Sequence, residues 1–261
     1  MKSMRRMSAC IVVAVAVGAV ASASASAAPT LPELGRCVPA SPAKTGNYFG
    51  AKCLKPAAGN GNYTWMPGPG AKPKFEGTGT EVHLSTAGHT VTCAANTFDG
   101  EYTGPKTAKV TLVLVGCVDN VVTKQTCQTN PTKTGEIEPL KALEAEIGFI
   151  KGGATPTVGI DLKGEKPLVR FECGKLPESV LIGEVEGSVI GSIGSIDRMN
   201  TEFKLAFKAS GGKQVPEHFE GGVKDTLSIE YTSGVTKTHE EATLKTSDGL
   251  ANEEPMEIKA L

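Results

Sequence analysis

Three pairs of carboxylates stand at spacings that could do acid–base work: Glu136 and Glu138, Glu184 and Glu186, and the neighbours Glu240 and Glu241. On an extended strand, residues i and i+2 share one face about 7 Å apart, a separation within range for glycoside hydrolysis by two carboxyl groups. No flanking motif accompanies any of the pairs, and such pairs are common on solvated strand faces. Ser41-Pro-Ala-Lys44 and Lys133-Thr-Gly135 supply the residue types of a serine acyl-enzyme, but that chemistry needs the serine on a helix. Ser41 lies between Pro39 and Pro42 in a cysteine loop, and no S-x-N element follows. A G-x-S-x-G elbow is also absent. Gly187-Ser188 and Gly191-Ser-Ile-Gly194 read as turn or strand glycines. His83 and His89 straddle an expected hairpin and could face each other at the surface, while His218 and His239 are scattered. No Asp/Asn ladder of calcium-loop spacing occurs. No catalytic residue, metal ligand or cofactor follows from these residues.

The binding candidates are aromatic. Tyr48, Phe49, Tyr63 and Trp65 fall close together in a proline-rich stretch. Planar side chains on a rigid, stapled loop can stack on sugar faces; the alternative is that they cap the fold as core. Asn62-Tyr-Thr64 has the acceptor pattern for N-glycosylation in a host that performs it.

Cysteine usage bears on what positions these groups. Cys10 falls within a signal-like segment, leaving Cys37, Cys53, Cys93, Cys117, Cys127 and Cys173. An even set in an exported chain implies disulfides. Sequence-local pairing predicts Cys37–Cys53 and Cys117–Cys127, with Cys93–Cys173 left over, although spacing alone does not fix connectivity. A zinc site is disfavoured, because no C-x-x-C pair exists and no histidine stands at ligand spacing from a cysteine.

The amino terminus carries the export pattern. Lys2, Arg5 and Arg6 precede an uncharged run from Ala9 to Ala21, and small residues follow to Ala28. A basic start, a short apolar stretch and an A-x-A end make a cleavable signal peptide over residues 1–27, cut after Ala25-Ser-Ala27. The apolar run is shorter than the ~20 residues of a membrane-spanning helix. The expected location is secreted, extracellular or at the cell surface, with no membrane contact after cleavage. The whole chain has a formal net charge of −1, and losing three basic residues makes the remainder more acidic. Nucleic acid and anionic membrane both demand a basic surface, so neither is an expected partner.

Residues 28–75 hold Pro29, Pro32, Pro39, Pro42, Pro56, Pro67, Pro69 and Pro73, a density that prevents long ladders. They read as an irregular, cysteine-stapled segment packed on a main body of residues 76–261. In that body, period-two alternation dominates. Val82 and Leu84 oppose His83 and Ser85; Val169, Phe171 and Cys173 oppose Arg170 and Glu172; Phe203, Leu205 and Phe207 oppose Glu202 and Lys204. The same rhythm marks residues 227–231 and 256–259. This is the pattern of half-buried antiparallel strands. Residues 110–115, Val-Thr-Leu-Val-Leu-Val, suggest a central strand. Residues 139–150 fit a helical stripe (Leu140, Leu143, Ile147, Ile150) and a strand (Leu143, Ala145, Ile147, Phe149) equally well. The fold class expected is all-β: an antiparallel, β-sandwich-like, disulfide-stapled domain with an irregular N-terminal segment.

Several blocks, Pro32-Glu-Leu-Gly-Arg-Cys37, Trp65-Met-Pro-Gly68, Gly100-Glu-Tyr-Thr-Gly-Pro-Lys106, Gly187-Ser-Val-Ile190, Pro216-Glu-His-Phe-Glu-Gly-Gly222 and Asn252-Glu-Glu-Pro255, resemble a family of secreted, cysteine-containing, β-rich actinobacterial proteins. The resemblance spans nearly all of the chain after the signal. It implies secretion and a single unit, and it carries no activity or site residues. The functional expectation is a non-enzymatic extracellular β domain, structural or adhesive, that binds a glycan or protein. The alternative is a secreted glycosidase-like hydrolase with an unrecognised carboxylate site. A further reading, an inhibitor presenting a Cys117–Cys127 loop, rests on that loop alone.

Overall fold

The computed structural model describes residues 31–121, 124–174 and 180–261. The expected signal peptide and its cleavage site lie outside them. Every regular element among the described residues is a strand, and the ladders are antiparallel.

The proline-rich segment forms four short strands: β1 (Glu33–Pro39), β2 (Gly46–Tyr48), β3 (Pro56–Gly61) and β4 (Tyr63–Pro67). β4 pairs with β1 and β2, and β2 pairs with β3. The prolines keep these strands short, but the segment is hydrogen-bonded rather than loose. The next strands are β5 (Lys74–Ser85), β6 (Thr90–Tyr102) and β7 (Thr107–Val115), then the short β8 (Val118–Asp119), β9 (Cys127–Gln128) and β10 (Glu136–Ile137). They are followed by β11 (Leu143–Lys151), β12 (Thr157–Lys163), β13 (Val169–Cys173), β14 (Leu181–Gly187) and β15 (Val189–Ile193). The chain closes with β16 (Asn200–Ser210), β17 (Lys213–Val215), β18 (Leu227–Ser233) and β19 (Thr236–Lys259).

Beyond the sandwich-like stack expected, the pairing closes into a ring. β5 pairs with β6, β6 with β7, β7 with β11, β11 with β12, β12 with β15, β15 with β16, β16 with β19, and β19 with β5. At eight strands, a barrel has an interior that side chains alone can fill. Phe75, Val82, Phe98, Leu114, Ile160 and Phe207 point into it and leave a cavity of only about 50 Å³. Period two sends their sequence neighbours outward, and this sorting gives the barrel its two chemistries. Residues 143–151, open to either reading in the sequence, are a strand. Ladders to β7 and β12 occupy both of its edges, and Leu143, Ala145 and Ile147 are buried while Leu140 is exposed.

One polar group sits inside. The Asn96 amide donates to Asp248 Oδ1 at 2.8 Å, and the Thr246 hydroxyl donates to the same oxygen at 2.9 Å. Burial pushes the Asp248 carboxyl up, and these two hydrogen bonds partly offset that. Gly79 makes room for the group: a Cβ there would lie 1.8 Å from Asp248 Oδ1.

A second sheet, β9–β13–β14–β18–β19, buries Phe171, Val185, Ile229 and Tyr231 on one face. β19 is 24 residues long and serves both sheets and the N-terminal strands. It pairs with β18 through residues 236–242, with β5 and β16 through residues 243–256, and with β1 through residues 257–259.

Three disulfides staple these elements, and one matches sequence-local pairing: Cys37–Cys53. The other two correct it. The bonds are Cys93–Cys117 and Cys127–Cys173, not Cys117–Cys127 and Cys93–Cys173. Cys127 and Cys173 are direct cross-strand partners in the β9–β13 ladder. Cys117 precedes β8, whose ladder with β6 runs through Val91 and Thr92 and so brings Cys117 opposite Cys93. Cys117 and Cys127 are neighbours too, with the Cys127 N–H donating to the Cys117 carbonyl at 2.9 Å. Pairing follows which side chains face each other across a ladder, and separation along the chain does not reveal that. No closed Cys117–Cys127 loop exists for an inhibitor to present.

Peptide mapping without reductant should recover Cys93 joined to Cys117 and Cys127 joined to Cys173. The loop enclosed by Cys127–Cys173 spans 46 residues. Replacing both of these cysteines by alanine should lower the unfolding free energy by roughly 4 kcal/mol in denaturant titrations.

Candidate functional site

Of the sequence-predicted aromatics, Tyr48, Tyr63 and Trp65 are half-buried and Phe49 is exposed. Tyr48 and Trp65 are brought together, but around the chain's own Lys259. Its ammonium donates to the Tyr48 hydroxyl at 2.9 Å and sits 4.6 Å from the Trp65 ring centre and 5.0 Å from that of Tyr48. This cation–π contact ties β2 and β4 to the end of β19. Trp65 also lies across β1 at Gly35, where a Cβ would come 2.3 Å from its ring. Phe49 is 48% exposed and stands beside Lys55, apart from that pair. Tyr63 is the backbone partner of Tyr48 and Pro39.

The sequence-predicted carboxylate pairs are each engaged. Lys133 pairs with both Glu136 and Glu138. Arg170 pairs with Glu184 at 3.3 Å and Lys166 with Glu186 at 3.5 Å. Glu240 accepts from the Gly88 N–H, and Lys224 donates to Glu241. Hydrogen bonds from Thr86 and Gly88 hold the Glu240 carboxyl below its usual range. The two hairpin histidines do not face each other. His83 lies beside Glu81 at 3.1 Å, whereas His89 stacks on Tyr231 and approaches the buried Asp119 at 3.8 Å. Among the described residues, no three His, Cys, Asp or Glu side chains could hold a metal ion.

One buried carboxylate is out of its ordinary range. Asp161, on the outer face of β12, is 4% exposed, and its Oδ1 has no hydrogen-bond partner. Residues 216–226 pass beside it: Glu220 exchanges hydrogen bonds with the Phe149 backbone, and Asp225 accepts one from Ser188 at 2.7 Å. Burial, with Asp225 adding repulsion, pushes Asp161 up to about 6; Lys163 pulls it down and Glu146 raises it. Its ionised form is therefore disfavoured in the fold, and the raised proton affinity is a cost to folding at neutral pH.

Concave surface lies on the outer face of the barrel, where a depression of about 500 Å³ around Lys74, Glu101 and Lys109 adjoins a larger one. A trough of about 840 Å³ crosses β6, β5, β19 and β16. Two register rows line it. In the first, Thr97 pairs with Thr78, Thr78 with Gly249 and Gly249 with Lys204; in the second, Asp99 pairs with Glu76, Glu76 with Ala251 and Ala251 with Glu202. Gly249 and Ala251 give β19 almost no outward side chain, so the flanking strands stand as walls. A Cβ on Gly249 would meet nothing within 4 Å. Arg198, Asn200 and Ser195, from the segment entering β16, close one side.

The charges on this face contrast with those on the second sheet. On the second sheet, carboxylates meet cations in pairs such as Arg170–Glu184 and Lys237–Glu230. Here Glu76 and Asp99 are directly opposite, an arrangement of like charges that weakens a sheet. Among the described residues, neither they nor Glu202 enters an ion pair with Lys204 or Arg198. Sequence reasoning missed the trough because its residues are ordinary strand residues. The signal present was Gly249-Leu-Ala251, a large inward residue between two nearly bare outward ones. No protein-family model, curated protein or solved structure matches the chain.

Asp161 yields a pH prediction. Its folded value lies above the ordinary 3.8, so its penalty is absent below pH 4, grows between pH 4 and 6, and is complete above 6. Asp161→Asn should therefore gain stability over the native chain across that window. The gain should reach a plateau of roughly 2–3 kcal/mol, measured as the difference between denaturant titrations at pH 4, 5, 6 and 7.

Proposed function

We propose that the protein is a secreted, non-catalytic binding domain that presents the trough on the outer face of β5, β19 and β16 to an extracellular partner. The observation that carries this reading is the trough itself: a concave surface with charged groups left free of one another beside a closed, stapled barrel. Among the described residues its carboxylates and cations form no ion pairs with one another. A face that withholds them keeps hydrogen-bonding capacity for something outside the chain. The basic, apolar and small-residue pattern of residues 1–27 supports export, and so do three disulfides, which persist in oxidising compartments.

The hydrolase alternative draws less support. The carboxylate pairs at i, i+2 are held by Lys133, Arg170 and Lys166, and the neighbouring Glu241 by Lys224. Asp161, whose carboxyl burial pushes up, is only 4% exposed.

The test is retention and turnover on one panel of printed extracellular glycans and proteins. The protein should be retained on some members and should release no sugar or peptide fragment from any. Gly249→Trp, which projects a ring into the trough where a side chain has open space, should abolish retention while leaving the melting temperature unchanged or higher. Fragment release overturns the non-catalytic reading. Full retention by the variant removes the trough from the function.

A further inference from the structure

The trough's own chemistry narrows its occupant, on the premise that it is the binding face. Its centre is a row of acceptors: Asp99 and Glu76 on adjacent strands, then Glu202 beyond the bare position Ala251. Neighbouring strands lie about 4.8 Å apart, so Glu76 and Glu202 stand roughly 10 Å from each other across the floor. The next row supplies groups that donate, or do both: Thr78, Thr97 and Lys204, with Arg198 at the wall. Carboxylates only accept hydrogen bonds, lysine and arginine only donate, and threonine does either.

We infer that the trough takes a neutral, linear, hydroxyl-rich glycan laid along β19. A sugar hydroxyl both donates and accepts, so one kind of ligand group satisfies the acidic row and the basic wall alike. Bonds to charged partners are the stronger ones.

Other classes of ligand fit less well. A peptide that docks by strand addition needs a free edge, and β5 and β19 have both edges hydrogen-bonded along the trough. A nucleic acid or an anionic glycan meets Glu76, Asp99 and Glu202 with its own charge. A lipid finds its apolar surface on the other side of these strands, inside a barrel whose cavity is about 50 Å³. The floor suits an extended ligand: Gly249 and Ala251 line the trough, and with Ser247 the outward small residues of β19 span about 14 Å in the strand direction.

The experiment is calorimetric titration of the protein with cellohexaose, laminarihexaose and mannohexaose, alongside hexagalacturonate and an oligolysine. At least one neutral hexasaccharide should bind. Gly249→Trp should weaken it at least tenfold, and Glu76→Gln with Glu202→Gln should weaken it severalfold with the melting temperature retained. If only oligolysine or hexagalacturonate binds, and Gly249→Trp abolishes that binding, the ligand class is wrong and the face stands. If a neutral hexasaccharide binds native protein and Gly249→Trp equally, the face is wrong and this inference falls with it. Binding of none of the probes overturns the assignment of a neutral glycan.

Discussion

The fold depends on the closure of its hydrogen-bond ring through β19. An open antiparallel sheet exposes an unpaired edge at each end, and such edges recruit other chains. In this protein β19 fills the gap between β5 and β16 and removes both edges at once. The same strand continues into the second sheet and then reaches β1, so units that could have been separate share one backbone. The residues that allow this are not uniformly apolar. Leu250, Met256 and Ile258 are buried, and Asp248 is buried with Asn96 and Thr246 to satisfy it.

Closure also divides the side chains into two populations. Inside, Phe98, Phe207 and their neighbours fill a lumen too narrow for a ligand of any size, so the barrel is a core rather than a calyx. The larger concave space lies on the exterior, where β19 turns from bulky to bare at Gly249 and Ala251. On the second sheet, charges are matched across strands, as with Arg170 and Glu184. The contrast between a matched face and an unmatched one comes entirely from which outward residues the register brings opposite each other.

Much of the architecture could be read in the amino acids, because strand alternation is a local signal. Val82 and Leu84, Phe171 and Cys173, and Phe203 to Phe207 all lie on the faces their period implies. The all-β class and the stapling follow from the same local cues. What could not be read is whatever depends on which strands meet. Cys93 and Cys173 do both point inward, yet they sit in different ladders, and each bonds the cysteine opposite it. The aromatic pair Tyr48 and Trp65 was visible in sequence, but the Lys259 between them is some two hundred positions away. The trough is the extreme case. Thr97, Thr78, Gly249 and Lys204 come from three distant stretches, and none is unusual alone.

That the closing strand follows the other seven strands of the ring along the chain has a consequence for biogenesis. During synthesis β5, β6 and β7 emerge early and can zip together, since their turns are short. β5 must then wait through some 160 further residues for its second partner. Any polypeptide halted before Thr236 lacks that partner and leaves two long, sticky borders exposed at β5 and β16. Ribosome stalling, premature stop codons and carboxy-terminal clipping all strike at the seam of the barrel. A lesion confined to β1–β4 leaves every pairing of the eight-strand ring in place.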